Sequence, residues 1–347
     1  MLKAITVTHF RNILESKTFM CGFSTLIHGP NASGKTNLLE AIYVLNYAHG
    51  FRSSDVRDLC SYEADDFSVA GETHNERDVQ SNKVYIKNGV SLEKAYFING
   101  TKKTLKEFQS RSTPIVLFQP SDLLLVTGTP NIRRSYIDTL LVHTDPEYKQ
   151  AKINYDHGLY KRNKLLLHLR NGNFAEVIDF WDTFLEKNAS VLHAKRAKVV
   201  QYFNTNAKFE GMRFNIGYVQ NIYTKKRSLE LRATDVRVGR TSFGPQLDEF
   251  IFLKRYEDTF RKLSSYGSRS EQRLGVLWLK RTELLYLVDT LGVSPLLLLD
   301  DVFSELDDEN SKRIVTIAQD YQTFMTTAHL DMLKHITYPL TKIELGK

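Results

Sequence analysis

The feature that most constrains this chain is an eight-residue loop near its N-terminus. The loop fits the pattern G-x-x-x-x-G-K-[ST] at every required position and consists of Gly29, Pro30, Asn31, Ala32, Ser33, Gly34, Lys35 and Thr36. A strand-like segment ends at His28 just before the loop, and apolar residues at helical spacing follow it. This strand–loop–helix order predicts an α/β domain with a phosphate-binding loop.

The residue types of the loop suit the phosphate chain of a nucleotide. Glycines let the backbone curl so that its N–H groups converge on phosphate oxygens at the positive end of the helix. Lys35 is expected to neutralise the β- and γ-phosphates, and the Thr36 hydroxyl is expected to hold Mg²⁺. The loop therefore predicts a nucleotide site that uses a metal ion.

A second acidic motif, far along the chain, supplies the carboxylates that such a site needs. The apolar run Leu296–Leu299 is typical of a buried parallel strand, and Asp300 and Asp301 follow it directly. Asp300 is predicted to anchor Mg²⁺ through Thr36 and water, and Asp301 to polarise the attacking water. The wide separation of the two motifs indicates that much of the chain is inserted between them.

The pattern of segments divides the chain into three stretches. Residues 1–120 alternate strand-like runs with hairpin turns at Asn88-Gly89 and Asn99-Gly100. Residues 121–205 are poor in glycine and repeat apolar residues at helical spacing, and Asn171-Gly172-Asn173 marks a turn between two helices. Residues 206–347 return to strands and helices. This order predicts an α/β domain formed by the outer stretches, with a mainly helical insert.

Composition limits the class of protein. With 42% hydrophobic and 25% charged residues, the chain is not expected to be wholly disordered. No apolar run is long enough to span a bilayer, and residues 1–6 show no signal-peptide pattern. We therefore expect a cytoplasmic protein in which Cys21 and Cys60 stay reduced. The net charge of +7 is compatible with a polyanionic partner.

Three basic clusters occur in or near the helical stretch: Arg133-Arg134, Lys161-Arg162-x-Lys164 and Lys195-Arg196-x-Lys198. Taken singly, each is typical of a solvated helix face. Taken together, they predict a surface that contacts phosphates. Phe and Tyr are plentiful, but no run of sequence interleaves them with basic residues as a base-stacking platform would.

Four segments, in order along the chain, resemble motifs of the RecF family of recombination-repair ATPases. The acidic strand continues as Leu299-Asp300-Asp301-Val302-Phe303-Ser304-Glu305-Leu306-Asp307, which is similar to the family's Walker B and D-loop. The other three are His9-Phe10-Arg11-Asn12-Ile13, the segment from Pro120 to Arg134 that continues to Ile137-Asp138, and Gly244-Pro245.

The resemblance implies an ABC/SMC-type ATPase head, a P-loop NTPase fold, with an inserted helical lever arm. By this resemblance Gln119 is the Mg²⁺-sensing glutamine, Arg11 and Asn12 flank the nucleotide, and Ser268 belongs to the signature motif. The family would bind ATP with Mg²⁺, form a homodimer with ATP, and bind double- and single-stranded DNA at gaps or junctions. Partners of the RecO/RecR mediator type, no membrane partner and weak, switch-like ATP hydrolysis are also implied.

Three segments depart from the family pattern. The signature is Ser268-Arg269-Ser270-Glu271-Gln272-Arg273, with Ser270 in place of a glycine and Glu271 in place of a glutamine. By the resemblance, the signature loop of one subunit contacts the γ-phosphate held by the other. If residue 270 needs a positive φ for this contact, a serine there costs about 1–3 kcal/mol. Alternatively, Ser265-Tyr266-Gly267 provides the contact with the γ-phosphate. Gln246 and Leu247 replace His and Arg after Gly-Pro, and either Thr327 or His329 is the switch residue.

Three other functions stay open from the sequence. A transporter-type ATPase subunit is disfavoured by the basic insert and the wide motif separation. A nuclease of the overcoming-lysogenisation type would need more chain after the acidic strand for a catalytic metal domain. The third alternative is a structural DNA-binding protein with a degenerate nucleotide site. Nucleotide titration distinguishes it from an ATPase, because such a protein should show no ATP-dependent change in mass.

Overall fold

The computed structural model describes residues 1–53, 55–74, 78–169, 175–328 and 335–346. The chain forms two compact units, one of residues 1–121 with 287–347 and one of residues 122–286. Residues 206–286 thus group with the helical stretch that precedes them. The assignment of residues 1–120, 121–205 and 206–347 to two lobes and a lever arm stays a prediction. No helix in these ranges is long and apolar enough to cross a membrane.

The N-terminal part of the first unit consists mainly of an antiparallel β-sheet. Its elements are β1 (Leu2–Thr8), β2 (Lys17–Met20), β3 (Ser24–His28), α1 (Lys35–Tyr47), β4 (Asp66–His74), β5 (Val79–Asn88), β6 (Leu92–Ile98), β7 (Thr101–Lys103), α2 (Leu105–Gln109) and β8 (Ile115–Phe118). Six of these strands form a sheet in the order β2-β1-β4-β5-β6-β7. One face of this sheet joins α1 in the core. The predicted turn at Asn99-Gly100 is confirmed, since both residues have the positive φ of a two-residue hairpin.

The second unit contains most of the helical residues. Its elements are α3 (Leu123–Thr127), α4 (Pro130–Thr144), α5 (Pro146–Leu169), α6 (Ala175–Thr205), β9 (Lys208–Phe209), β10 (Met212–Val219), α7 (Lys225–Val238), β11 (Glu249–Tyr256), β12 (Thr259–Lys262), α8 (Leu263–Tyr266) and the greater part of α9 (Arg269–Leu291). Contacts of Asn154 with Asn188 and of Arg162 with Asp182 show that α5 and α6 run antiparallel. The predicted turn at residues 171–173 lies outside the described ranges.

The chain then completes the first unit with β13 (Leu296–Leu299), α10 (Asp308–Ala318), β14 (Thr323–Thr327) and β15 (Thr341–Glu344). A parallel sheet results, in the order β15-β3-β14-β13-β8. Leu296–Leu299 is buried as predicted. Because parallel strands end at the same edge, the segments after β3, β8, β13 and β14 meet there. That edge carries the candidate site.

Arg162 is part of a buried ionic network within the second unit. It is 0% exposed, and its guanidinium donates to Asp182 at 2.7 Å and to Asp235 at 2.8 Å. Thr241 and Ser228 accept further hydrogen bonds from it. Gly158, Arg162 and Leu166 are four residues apart, so they share the buried face of α5. The prediction that Arg162 contacts phosphates is therefore wrong.

The other basic clusters also direct their arginines inward. Arg196 donates to Asp248 at 2.7 Å and to Asp138 at 2.8 Å, and Arg134 donates to the carbonyl of Asp248. Arg133 donates to the Gly128 carbonyl. Lys195 pairs with Asp145 and Glu147. A surface made of these clusters therefore retains few exposed cations, chiefly Lys161, Lys198 and Lys164, and the ammonium group of Lys164 lies over the Tyr160 ring.

Gln246, where the family pattern has His, also has a local structural role in the second unit. Its amide donates to the Phe243 carbonyl at 2.6 Å, and its oxygen accepts from the Tyr155 hydroxyl. Gly244 before it has φ of 115°, and a Cβ there would lie 2.4 Å from the Tyr155 oxygen. The turn therefore requires glycine at this position.

Candidate nucleotide-binding site

The loop between β3 and α1 has the backbone of a phosphate cradle. Ala32 has φ of 65° and Gly34 has φ of 99°, both in the left-handed region. A Cβ at Gly34 would lie 2.5 Å from Oδ1 of Asn12, so glycine lets Asn12 pack against the loop. Since α1 begins at Lys35, its unpaired N–H groups open toward the loop.

Lys35 and Ser33 are two polar side chains of the loop that suit a phosphate. Lys35 Nζ donates to the carbonyls of Gly29 at 2.8 Å and Pro30 at 2.9 Å. The Ser33 hydroxyl is buried and has no hydrogen-bond partner in the part of the chain described. Buried polar groups are normally paired, so an unpaired hydroxyl in a loop that also carries an ammonium group suits an anionic ligand. The loop therefore fits a phosphate group.

Thr36 and Asp300 meet as the two motifs predicted. Thr36 Oγ1 donates to Asp300 Oδ1 at 2.8 Å, and Thr326 Oγ1 donates to the same oxygen at 2.9 Å. Burial raises the pKa of Asp300, although the hydrogen bonds from both threonines and the charge of Arg52 act in the opposite direction. Hydroxyl and carboxylate oxygens are ligands that Mg²⁺ prefers, so this pair fits the metal.

Thr326 joins the two acidic residues, a contact that sequence reasoning missed. The N–H of Asp301 donates to Thr326 Oγ1 at 2.8 Å, and Asp301 has φ of 49°. The sequence favours Thr327 or His329 at the end of this strand. Thr327 is buried at 1% exposure, and His329 lies outside the described residues. Only the alignment of β14 beside β13 shows which hydroxyl reaches Asp300.

A buried carboxylate, also missed by sequence reasoning, organises the segments beside the loop. Glu40 on α1 is 0% exposed and accepts from Arg11 at 2.9 Å and Arg52 at 2.6 Å. Burial opposes the charge, yet these hydrogen bonds hold the pKa of Glu40 below its ordinary value. Asn37 bonds both Asn12 and Arg52. The available signal was a single acid within the apolar run of α1.

Gln119 follows β8 directly at the same sheet edge. The N–H of Asp300 donates to the Phe118 carbonyl at 2.9 Å, which holds the end of β8 against the acidic segment. The structure thus brings together in the first unit the loop, Arg11, Asn12, Gln119, Asp300 and Asp301. Ser268 belongs to the second unit.

The signature segment forms the N-terminus of α9 in the second unit. The Ser268 N–H donates to Glu271 at 2.7 Å, and Ser268 Oγ accepts from the Glu271 N–H at 3.3 Å, so the two residues form a capping box. Ser270 lies in the helix and is not among the residues with positive φ. The expected backbone strain at Ser270 is therefore wrong. Gly267, with φ of −80°, is not left-handed either.

Glu271 has a structural partner that explains its difference from the family. Its carboxylate forms an ion pair with Lys254, whose side chain is only 10% exposed, and accepts a hydrogen bond from the Tyr256 hydroxyl. Partial burial opposes the charge, but the hydrogen bonds from Lys254 and the Ser268 N–H keep the pKa of Glu271 below its ordinary value.

We expect Glu271→Gln, which restores the family residue, to lower the free energy of unfolding by about 1–3 kcal/mol, because Lys254 loses its counter-ion. The capping box survives, since glutamine also suits that position. Adding Lys254→Met should recover most of the loss in denaturant unfolding. Equal stability of Glu271→Gln and the unmodified protein would contradict the role of this ion pair.

Comparison with known proteins agrees with this geometry along almost the whole chain. The model of the RecF/RecN/SMC N-terminal domain family matches residues 1–343. A DNA replication and repair protein RecF from an Exiguobacterium species is 30% identical, covering 99% of this chain and 96% of the relative. The chain belongs to the RecF family. The RecF protein of Streptococcus gordonii is 31% identical over 99% of this chain and 98% of its own length.

Solved structures place the chain among ABC/SMC-type ATPase heads. A RecF structure described as the recombination mediator RecF-ATPrS of the RecFOR pathway has a TM-score of 0.87 at 26% identity, covering 99% of this chain and 96% of that one. The Smc head of Pyrococcus furiosus has a TM-score of 0.56 at 16% identity and shares the fold. The predicted family and fold class are thus confirmed.

Proposed function

We propose that this RecF-family ATPase binds ATP with Mg²⁺ and acts on DNA in replication and recombinational repair. The observation that carries the proposal is the meeting of Thr36, Asp300 and Thr326 beside the loop of Lys35. These groups match the phosphate and metal chemistry of ATP. RecF relatives named for DNA replication and repair, and a RecF structure named with ATP, support the same substrate.

The residues of the first unit have distinct roles in this proposal. The loop N–H groups and Lys35 bind the phosphates, with Ser33 donating its unpaired hydroxyl to an oxygen. Thr36 and Asp300 hold Mg²⁺, which neutralises phosphate charge when bound. Asp301 polarises the attacking water, and Gln119 senses Mg²⁺ when the ion is bound. Arg11 and Asn12 flank the nucleotide. The ion pair between Arg11 and Glu40 holds this segment beside the loop.

The proposal extends to assembly and partners. With ATP, two copies of the chain close into a dimer in which Ser268 of one copy contacts the γ-phosphate held by the other. The dimer binds gapped DNA or single-strand/double-strand junctions in the cytoplasm and works with mediators of the RecO/RecR type. Hydrolysis is slow and serves as a switch that opens the dimer.

Sedimentation tests the proposal directly. The protein alone should sediment as a monomer, and ATP with gapped DNA should shift it to a complex of two chains and DNA. ADP should not produce the shift, because it lacks the γ-phosphate that closes the dimer. Unchanged mass with ATP and DNA, in a protein that binds neither, would refute the proposed function.

We expect Asp301→Asn to retain ATP but hydrolyse it at least about tenfold more slowly, because an amide cannot accept a proton from water. Asparagine tolerates the left-handed backbone found at this position, so the fold should be unaffected. The variant should accumulate as the ATP-bound dimer. Wild-type phosphate release would remove Asp301 from the mechanism.

A further inference from the structure

The outer face of the six-stranded sheet carries side chains that the strand register aligns in rows. One row runs across all six strands and consists of Thr18, Thr6, Ala70, Lys83, Phe97 and Lys102. The next row consists of Thr8, Ser68, Tyr85 and Ala95. Directly paired residues of antiparallel strands share a face. These ten side chains therefore form one continuous surface.

This surface is accessible to solvent. The opposite face belongs to the core, where Val69, Val84 and Ile86 are at most 1% exposed. Every residue of the two rows keeps some exposure to solvent, and Lys83 and Lys102 are exposed. Tyr85 and Phe97 are half-buried, so their rings are supported by the sheet and still reachable.

Charge and shape are both uneven across the surface. Its β1–β4 side is a floor of small side chains, with a hydroxyl pair between Thr6 and Thr18 at 2.8 Å. On its β5–β7 side Phe97 lies between Lys83 and Lys102. Neither lysine forms an ion pair with any residue that the structure describes. Two aromatic rings thus stand beside two ammonium groups that have no ion-pair partner among the described residues. The next row of the same face holds Lys87 between Asp66 and Glu93, and both acids lie near the Tyr85 hydroxyl.

We propose that Tyr85, Phe97, Lys83 and Lys102 form a platform that binds single-stranded DNA. Aromatic side chains stack on unpaired bases of any sequence, and lysines beside them attract the phosphates. Tyr85 and Phe97 are diagonal neighbours on adjacent strands, roughly 7–8 Å apart, which suits two bases of one strand. A double helix keeps its bases stacked inside, so it offers the rings no partner. This inference rests on the proposed function, because it assigns the single-stranded part of the proposed DNA ligand to a surface.

The double variant Tyr85→Leu/Phe97→Leu tests the stacking. Leucine keeps the apolar contact with the sheet and removes the π-face. We expect binding of a fluorescent oligodeoxythymidylate by the full chain to weaken at least about tenfold, with Tyr85→Phe binding like the unmodified protein. Tyr62→Leu is the matched control, because Tyr62 is fully exposed in a turn outside the sheet. It should leave affinity unchanged.

Lys83→Ala/Lys102→Ala tests the charges. Each lysine that neutralises a phosphate of a single strand adds about 0.7 to the slope of log affinity against log salt, so the slope should fall in magnitude by about 1.4 in this double variant. Lys94→Ala is the control. Lys94 is an exposed lysine on β6. It is paired with the buried residue Ile86 of β5, so it belongs to the opposite face of the sheet.

Each outcome decides the proposal. Weaker binding confined to the platform variants, with ATP-analogue binding retained, supports it. Equal weakening in Tyr62→Leu and Lys94→Ala, unchanged affinity in the platform variants, or loss of duplex binding alone would overturn it. An unmodified protein that binds ATP and duplex DNA but no oligodeoxythymidylate would overturn the platform and leave the proposed function standing. Absence of both ATP and duplex binding would reject the proposed function itself.

Discussion

Lys35→Ala should bind ATP at least about a hundredfold more weakly than the unmodified chain. The ammonium group is held at the loop by the carbonyls of Gly29 and Pro30, where it can interact with the β- and γ-phosphates. Each hydrogen bond to a charged group contributes about 1.5–3 kcal/mol. Loss of the two hydrogen bonds from Lys35 to the β- and γ-phosphates therefore accounts for a change in affinity of this size. Titration with a fluorescent ATP analogue measures it.

The fold should survive this change. Lys35 is only half-buried, and its two carbonyl partners lie in a solvent-accessible loop, so removing it costs little stability. Lys312→Ala, an exposed lysine on α10 of the same unit, is the control for loss of one positive charge. Unchanged nucleotide affinity in a folded Lys35→Ala protein would show that the loop does not bind phosphate.

Arg162→Met should lower the free energy of unfolding of the second unit by about 3–5 kcal/mol. The substitution leaves two buried carboxylates, Asp182 and Asp235, without their cation, and breaking such a pair from one side exposes the full cost of burying charge. Lys161→Met is the matched control on the same helix. Its side chain is exposed, so a change within about 0.5 kcal/mol is expected.

Denaturant unfolding followed by tryptophan fluorescence measures the difference. Both tryptophans of the chain, Trp181 and Trp278, lie in the second unit and report on it. Adding Asp182→Asn and Asp235→Asn to Arg162→Met should recover part of the stability, because the orphaned charges are then removed. Equal unfolding midpoints for Arg162→Met and Lys161→Met would contradict the network's role.

Acid should weaken the same network. Burial acts against the Asp182 charge, but hydrogen bonds led by Arg162 hold its pKa below the ordinary value. A carboxylate with a lowered pKa stabilises the fold above its ordinary pKa, and that stabilisation is lost as the pH falls through the lowered value. The Arg162→Met variant should therefore lose less stability in acid than the unmodified protein.

Contiguous motifs made much of the first unit predictable. The loop from Gly29 to Thr36 and the acidic strand before Asp300 place their chemistry within a few residues of one backbone turn, so spacing alone identifies it. The helices of the middle stretch follow from periodicity in the same way, since α5 and α6 lie within residues 121–205, where the spacing of apolar residues predicts helices. The meeting of Thr36 with Asp300 followed because parallel strands end at a common edge.

Other features depend on partners that only folding brings together. Periodicity does not show which face of α5 is inward, so Arg162 looked like a phosphate contact until Asp182 and Asp235 were found beside it. The capping box placed Ser270 in a helix and removed the strain inferred from a family glycine.

Burial and strand pairing decided the remainder. Glu40 gained its arginines and Thr326 its aspartates through contacts distant in sequence. The sequence shows no aromatic and basic interleaving along any run, whereas pairing of β5, β6 and β7 places Phe97 between Lys83 and Lys102. Local chemistry is written along the chain, but the charge and exposure of a side chain depend on neighbours set by the packing of distant segments.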